Sequence, residues 1–304
     1  VYVDPRLQRG FRAQGYEGLS AEQMEQIQKM EKERQALLAA APKPIPAEKC
    51  TPEALAEFAA KTAEGADVIF FVGGLAPTIE GEEMRVTIDG FKGGDRERIE
   101  IPDIQGKMLK ALKATGKPVV FVLCSGSAVA LEQNEADYDA LVCAWYGGQA
   151  GGTAVGDIVS GKVSPSGRLP ITFYKSTAQL PDFLDYSMEN RTYRYFRGTP
   201  LYAFGYGLSY TDFEVGKGKV SKKSMKADGS VKVTVPVTNT GDREGTETVQ
   251  VYIKALDYPE APIKSLKGFK KLYLAPGETA KAEIILDGES FEYSDPSIDE
   301  LSTR

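Results

Sequence analysis

The sequence predicts an α/β domain with a mainly parallel sheet, followed by a smaller all-β sandwich. Up to about residue 206, short apolar runs alternate with helical segments, which is the pattern of βαβ units. Beyond that point, apolar residues recur at every second position between turn residues, as in a small β-sandwich. We therefore predict an N-terminal segment (1–50), an α/β domain (51–206) and a β-domain (207–304).

The N-terminal segment contains one predicted helix. Ser20 and Gln23 fit a capping box, S-x-x-Q, and the helix extends to about Ala41, where a proline-rich stretch ends it. Its apolar stripe is thin, so we interpret it as a surface helix packed on the next domain. Residues 1–19 show no clear periodicity of apolar residues.

The α/β domain opens with a helix that carries signals at both ends. Thr51 is a predicted N-cap, Pro52 fits the first helical position and Gly65 is a predicted C′ residue. We expect its buried side to comprise Leu55, Phe58, Ala59 and Thr62.

Four strands and two further helices complete the domain. Residues 68–72 form a short run of β-branched and aromatic side chains. This run predicts one fully buried strand that ends at Gly73 and Gly74. The other predicted strands are 119–123, 141–145 and 169–173, and the predicted helices are 103–115 and 153–160.

Composition excludes several classes of function. The chain has 304 residues, a net charge of −6 and no histidine. The lack of histidine excludes Ser-His-Asp catalysis and His-ligated metal within this chain. The acidic balance argues against a nucleic-acid surface, and no apolar run approaches the ~18 residues of a membrane span.

The cysteines and the first residues of the chain indicate neither a disulfide framework nor a signal peptide. Cys50, Cys124 and Cys143 show no CxxC spacing, so we expect no disulfide framework, and we interpret Cys124 and Cys143 as small buried apolar residues. The chain begins at Val1 and shows no signal peptide.

An acidic loop follows the first strand of the α/β domain. Glu80, Glu82 and Glu83 fall within four residues, at the carboxyl end of a strand, where ligands bind in open α/β sheets. Crowded carboxylates raise at least one pKa, as a general acid requires. A solvated acidic loop is the alternative, and Arg96 could instead pair with a carboxylate and lower its pKa.

Two glycine-rich stretches and one tryptophan allow more than one interpretation of their role. Residues 146–152 could hold a phosphate at a helix N-terminus, but their spacing does not fit GxGxxG. Residues 156–162 resemble a P-loop, yet Val163 replaces the Ser/Thr and the segment ends a helix, so we reject that motif. Trp145 is interpreted as a core residue, with a sugar platform as the alternative.

Several motifs together resemble the C-terminal half of glycoside hydrolase family 3, the β-glucosidases and β-xylosidases. They are EGEEM and GFKGGDR after the first strand, AWYGGQAGG, PSGRLP and PLYAFGYGLSY, with LKGFKKLYLAPGETAKAEIIL in the β-domain. The resemblance implies an α/β sandwich followed by an immunoglobulin-like, fibronectin type III-like domain. It also implies a retaining β-glycosidase that removes terminal non-reducing β-D-xylosyl or β-D-glucosyl residues.

The family pattern places the catalytic acid/base in this acidic loop, in an E-x-E arrangement whose second glutamate matches Glu82. Glu83 and Glu80 are the fallback candidates. The resemblance implies neither a cofactor nor a metal, and a β-linked oligosaccharide, xyloside or glucoside as substrate. It favours a periplasmic or secreted protein.

The chain departs from the family at the other half of the catalytic pair. The family's nucleophile is an aspartate on an N-terminal (β/α)8 barrel, and nothing here has that fold's repeats or its ~250 residues. We expect that barrel in the same or a partner chain, and this chain alone to be inactive. The alternative is a non-catalytic carbohydrate-binding or assembly module that kept the fold.

Overall fold

The structure is a computed structural model that describes residues 20–40, 49–76, 79, 88, 90–92, 95–256, 260–295 and 300–303. The chain divides into two compact units. The first comprises Val1–Val72, Ile104–Phe121 and Asp137–Ala140, and the second comprises Gly73–Asp103, Val122–Ala136 and Leu141–Arg304. The predicted boundaries at residues 50 and 206 stay predictions.

Five α-helices and five strands occupy the described residues before the β-domain. The helices are α1 (Ala21–Ala40), α2 (Pro52–Ala63), α3 (Asp103–Lys113), α4 (Gly151–Val159) and the one-turn α5 (Thr192–Tyr195). The strands are β1 (Ile69–Gly74), β2 (Phe91–Lys92), β3 (Asp95–Arg96), β4 (Val119–Cys124) and β5 (Ala140–Cys143).

The predicted caps of α1 and α2 are confirmed. The Gln23 N–H donates to Ser20 Oγ (3.2 Å) while the Ser20 N–H donates to Gln23 Oε1 (2.8 Å), which is a reciprocal capping box. Thr51 Oγ1 accepts from the Ala54 N–H at 3.3 Å. Gly65 has φ +69°, as expected of a C′ glycine.

The buried face of α2 differs from the prediction by one residue. Leu55, Ala59 and Ala63 are buried, at a spacing of one helical turn. Thr62 is exposed, and its hydroxyl donates to the Phe58 carbonyl at 2.8 Å. The prediction was wrong at Thr62 because Ala63, and not Thr62, continues the face of Leu55 and Ala59.

The sheet has the strand order β1-β4-β5 and is parallel. The Ile69 N–H donates to the Pro118 carbonyl at 2.9 Å, and six residues further along both strands the Leu75 N–H donates to the Cys124 carbonyl at 2.7 Å. A constant offset between two strands requires that they run in the same direction. The predicted α/β class is therefore confirmed.

The central strand β4 is more deeply buried than the edge strand β1. Val119, Phe121, Val122 and Leu123 of β4 are buried, whereas Phe70 and Val72 of β1 are exposed. The prediction of a fully buried first strand was wrong, because described residues pack on only one face of β1. The ring of Phe71 contacts Phe121 with centroids 5.4 Å apart.

The strand predicted at residues 169–173 is not present. The Leu169 N–H donates to the Tyr206 carbonyl and the Phe173 N–H to the Tyr202 carbonyl, but only one isolated bridge forms, between Phe173 and Tyr202. Pro170 has no N–H to continue a ladder, and Gly205 turns its partner segment with φ +80°.

The β-domain is a two-sheet sandwich, as predicted. Its strands are β6 (Phe213–Val215), β7 (Lys219–Val220), β8 (Ser230–Asn239), β9 (Gly245–Ile253), β10 (Ser265–Leu274), β11 (Thr279–Asp287), β12 (Glu292–Asp295) and β13 (Glu300–Thr303). One sheet has the order β11-β8-β6 with β7 beside β8, the other pairs β9 with β10, and β12 pairs with β13. The buried core comprises Val231, Val235, Val237, Val249, Leu274, Ala282, Ile284 and Leu286.

Residues before the β-domain contact β9 and β10 within the second unit. Tyr193 and Phe204 stack with centroids 4.0 Å apart, and both rings lie edge-on to Tyr252 of β9. Arg168 Nη2 donates to Glu247 Oε2 of β9 at 2.6 Å, and both side chains are mostly buried. These contacts fix the β-sandwich against the segment that carries PSGRLP and PLYAFGYGLSY.

Candidate active site

The carboxyl end of β1 lies directly against the end of β4. Gly74 has φ +112°, and a Cβ at this position would lie 2.1 Å from the Cys124 carbonyl oxygen. Only glycine fits such a close approach. Together with the hydrogen bond from Leu75 to Cys124, this contact fixes the point from which the acidic loop departs.

The three candidate glutamates, Glu80, Glu82 and Glu83, lie outside the residues that the structure describes. Their assignment therefore stays a prediction. The described residues around them show local turns: the Ile79 N–H donates to the Ala76 carbonyl at 2.8 Å, and the Phe91 N–H to the Ile88 carbonyl at 3.1 Å.

Beyond the candidate glutamates, the short strands β2 and β3 pair in antiparallel fashion. Phe91 of β2 is buried and pairs with Arg96 of β3. The Arg96 guanidinium donates to Ser127 Oγ (2.9 Å) and to the Ala128 carbonyl (3.3 Å), both in the loop after β4, and to the Ile99 carbonyl (2.7 Å). Arg96 therefore ties the far end of the acidic loop to the carboxyl end of the sheet.

Glu100 was not singled out from the sequence, although it is held firmly near this edge. Its carboxylate accepts from the Thr177 N–H (2.9 Å) and from Thr177 Oγ1 (2.6 Å). Burial by itself would raise the pKa of Glu100, but the Thr177 hydrogen bonds and the nearby Arg98 guanidinium hold it below its ordinary value. Glu100 is therefore an ionised anchor and not a proton donor at neutral pH. No sequence pattern marks the pair, because 77 positions separate the two residues.

Trp145 matches neither interpretation fully. It follows β5 with φ +52°, a backbone region that is costly for a bulky residue and is enriched at functional sites. The side chain is half-buried, so it is not a core residue, and its ring lies edge-on to the buried Phe173 with centroids 6.1 Å apart. Trp145 therefore stands at the carboxyl end of β5, beside the other strand ends.

The glycine-rich stretch turns the chain from β5 into α4, as predicted. A Cβ at Gly147 would lie 2.8 Å from Gly151 Cα, so the tight turn requires glycine there. The near P-loop lies across the end of α4, which stops at Val159, in agreement with its rejection.

Clusters of potential metal ligands and membrane-spanning helices were both sought in the part of the chain that the structure describes. Within these residues, no group of three or more acidic or cysteine side chains could hold a metal ion. None of the described helices is long and apolar enough to cross a membrane.

Two domain families match the chain, and known proteins are similar to it over about four fifths of its length. Residues 9–210 match the glycosyl hydrolase family 3 C-terminal domain, and residues 247–303 match the fibronectin type III-like domain. The chain is 52% identical over 242 residues to a xylan 1,4-β-xylosidase of Xylanibacter ruminicola, covering 79% of this chain and 28% of that protein. It is 38% identical over 256 residues to a periplasmic β-glucosidase of Salmonella typhimurium, covering 80% and 32%.

Solved structures match in the same way. A β-glucosidase from Erythrobacter marinus superposes with a TM-score of 0.71 at 34% identity, covering 86% of this chain and 34% of that one. A family 3 β-glucosidase from Bifidobacterium adolescentis gives 0.70 at 32% identity, covering 86% and 38%. The chain thus spans less than two fifths of the length of these relatives.

Proposed function

The chain belongs to glycoside hydrolase family 3, and on that premise we propose that it is the C-terminal portion of a retaining β-glycosidase that removes terminal non-reducing β-D-xylosyl or β-D-glucosyl residues. The observation that carries the proposal is the family match over residues 9–210, which contains the acidic loop. The relatives' names, β-xylosidase and β-glucosidase, support the two sugar classes.

In this proposal Glu82 is the acid/base. Its carboxylic acid protonates the glycosidic oxygen as the leaving group departs, and the resulting carboxylate then takes a proton from the water that hydrolyses the glycosyl-enzyme intermediate. Glu83 and Glu80 are the fallback candidates. The close contact of Gly74 with Cys124 and the hydrogen bonds of Arg96 hold both ends of this loop at the carboxyl edge of the sheet.

The proposed reaction needs a second carboxylate. Retention requires two carboxyl groups about 5–5.5 Å apart. We assign the nucleophile to a (β/α)8 domain in the same or a partner chain, and we expect this chain alone not to hydrolyse aryl β-xylosides or β-glucosides above background.

We predict the outcome of substituting Glu82 in a complete enzyme, made by joining this chain to the remaining part of the X. ruminicola relative. Glu82→Ala should slow substrates with poor leaving groups by about 10²–10⁴-fold, because these depend on general acid help. Activated aryl glycosides should still glycosylate the enzyme, and added azide should restore turnover by replacing the base-assisted water. The measurement is steady-state kinetics with both substrate types, with and without azide.

Glu80→Ala and Glu83→Ala are the matched controls, since they remove the same charge from the same loop. Azide rescue of Glu83→Ala alone would move the assignment to Glu83. Rescue of none of the three variants would contradict the proposed role of this loop and would mean that the proton comes from elsewhere.

A further inference from the structure

The outer face of β10 carries two exposed aromatic rings. Phe269 and Tyr273 are each 62% exposed, and Lys271 between them is exposed as well. Because side chains alternate along a strand, these three residues share one face, while Leu272 and Leu274 point into the core of the sandwich. We call the set of Phe269, Lys271 and Tyr273 the aromatic face. Single exposed aromatics are ordinary, whereas several on one face indicate an interaction site.

Polar residues of β9 lie opposite the aromatic face. Phe269, Lys271 and Tyr273 pair in register with, in that order, Gln250, Thr248 and Thr246. The side-chain amide of Gln250 donates to the Gly205 carbonyl at 3.0 Å, so the neighbour of Phe269 is held in place. The Tyr273 hydroxyl donates to the Glu244 carboxylate, which fixes the direction of the Tyr273 ring. Both rings are therefore parts of an ordered surface.

Thr248 carries a hydroxyl that lacks a hydrogen bond. The residue is 7% exposed, and its hydroxyl has no hydrogen-bond partner among the residues that the structure describes. Buried polar side chains normally have such a partner. The Cβ atoms of directly opposite residues lie about 4.5–5.5 Å apart, so a ligand that binds the Lys271 ammonium also comes close to this hydroxyl. A ligand rich in hydroxyl groups can supply the missing partner.

The spacing of the two rings suits a chain of sugars. Phe269 and Tyr273 are four residues apart, and four residues of a strand span about 13–14 Å. That distance exceeds the width of one sugar ring, so a ligand that contacts both aromatic rings has to be a chain. The flat face of an aromatic ring packs against the C–H groups of a sugar, while the sugar hydroxyls stay free to form hydrogen bonds.

The lysines of β10 favour an acidic ligand over a protein partner. Protein interfaces are rich in aromatic residues but poor in lysine, whereas β10 carries Lys267, Lys270 and Lys271 and no acidic residue. Lys271 lies on the aromatic face, and within the described residues it forms no ion pair. An unpaired cation between two aromatic rings complements a ligand that carries negative charge.

We propose that the aromatic face binds a β-linked sugar chain that carries carboxylate groups, as sugar acids do. The rings of Phe269 and Tyr273 pack on the faces of two sugars of the chain, and a carboxylate between these sugars pairs with the Lys271 ammonium. The inference rests on the proposed function, which supplies the class of β-linked sugar chains, and it names acidic chains within that class. A neutral sugar chain and a second copy of this chain are the competing occupants.

Calorimetric titration of this chain with two probes tests the proposal. One probe is xylohexaose, and the other is xylohexaose with one glucuronosyl side group. The acidic probe should bind about two- to fivefold more tightly at low salt, as expected of one exposed ion pair. Added salt should reduce this preference, and Lys271→Met should abolish it while keeping the apolar stem of the side chain. Equal affinity for the two probes, or binding of neither, would overturn the proposal.

Variants of the two rings locate the bound sugar. Phe269→Leu and Tyr273→Leu should each weaken binding of the acidic probe by about fivefold, because leucine lacks a flat face, whereas Phe269→Tyr should keep the affinity. Ile285 of β11 is 71% exposed on the other sheet, so Ile285→Ala is the matched control and should change nothing. Since these side chains are exposed, the melting temperature should stay the same in every variant. Affinity that is insensitive to both rings would place the sugar elsewhere and contradict the proposal.

Two further outcomes separate this inference from its alternatives. If sedimentation shows that this chain dimerises, and Phe269→Leu abolishes the dimer, a second copy is the occupant and the proposal fails. The titrations involve no catalysis, so they are independent of the azide experiment. Binding that depends on Phe269 and Lys271, without azide rescue at any glutamate, would leave the aromatic face standing and remove the proposed acid/base. Azide rescue without binding would do the reverse.

Discussion

Cys143 illustrates how burial sets the chemistry of a single side chain. It ends β5 and is half-buried as a free thiol. Burial raises its pKa to about 11, and burial likewise raises the pKa of Cys124. The interpretation of both residues as buried apolar side chains was right in kind, although both keep partial exposure.

We predict slow alkylation of Cys143. A raised thiol pKa lowers the thiolate fraction, so at pH 8 about one molecule in 10³ carries the reactive form. Iodoacetamide labelling of the folded chain, followed site by site by mass spectrometry, should be slow at pH 8 and accelerate as the pH approaches 11. The urea-unfolded chain is the control, and rapid labelling of folded Cys143 at pH 7 would contradict the assigned pKa.

At the scale of elements, the end of β1 depends on one glycine. We expect Gly74→Ala to lower the free energy of unfolding by at least about 2 kcal/mol, since the new Cβ would meet the Cys124 carbonyl at 2.1 Å in a backbone region that disfavours side chains. Denaturant unfolding measures the loss. In the complete enzyme the displaced acidic loop should also lower kcat.

Gly116→Ala is the matched control for this prediction. Gly116 has φ +76°, but a Cβ added there would meet nothing within 4 Å, so the substitution adds only backbone strain, at a cost of about 1 kcal/mol. If both variants lost the same free energy of unfolding, the close approach of β1 and β4 would not be the cause of the loss at Gly74.

At the scale of the whole molecule, a buried ion pair joins the PSGRLP segment to the β-sandwich. The side chains of Arg168 and Glu247 are 13% and 15% exposed. Arg168→Met should cost about 3–5 kcal/mol, because it leaves the Glu247 carboxylate buried without its partner. Arg168→Met/Glu247→Met should recover most of that loss, and denaturant unfolding measures both.

An exposed pair provides the comparison. Lys232 and Glu283 lie 3.2 Å apart with side chains 45% and 54% exposed, so Lys232→Met should cost less than about 1 kcal/mol. A double variant no more stable than Arg168→Met would show that the buried pair does not act as a unit.

Local patterns explain why much of the fold could be foreseen. The capping box at Ser20, the N-cap at Thr51 and the C′ glycine at Gly65 each depend on residues a few positions apart, so the sequence contains the whole interaction. The alternation in β8 likewise follows from the two faces of a strand. The family could be recognised for a related reason, since its motifs are contiguous stretches.

Features that join distant segments could not be foreseen. The bond of Glu100 to Thr177, the pairing of Arg168 with Glu247 and the positive φ of Trp145 arise from tertiary contacts that leave no periodic trace. The strand predicted at residues 169–173 failed because its partner segment turns at Gly205. The exposure of apolar side chains could not be foreseen either. Phe70 and Phe183 have side chains typical of a core, yet both are exposed. Whether an apolar residue is buried depends on what packs against it, which is decided by the folded surroundings and not by the local sequence.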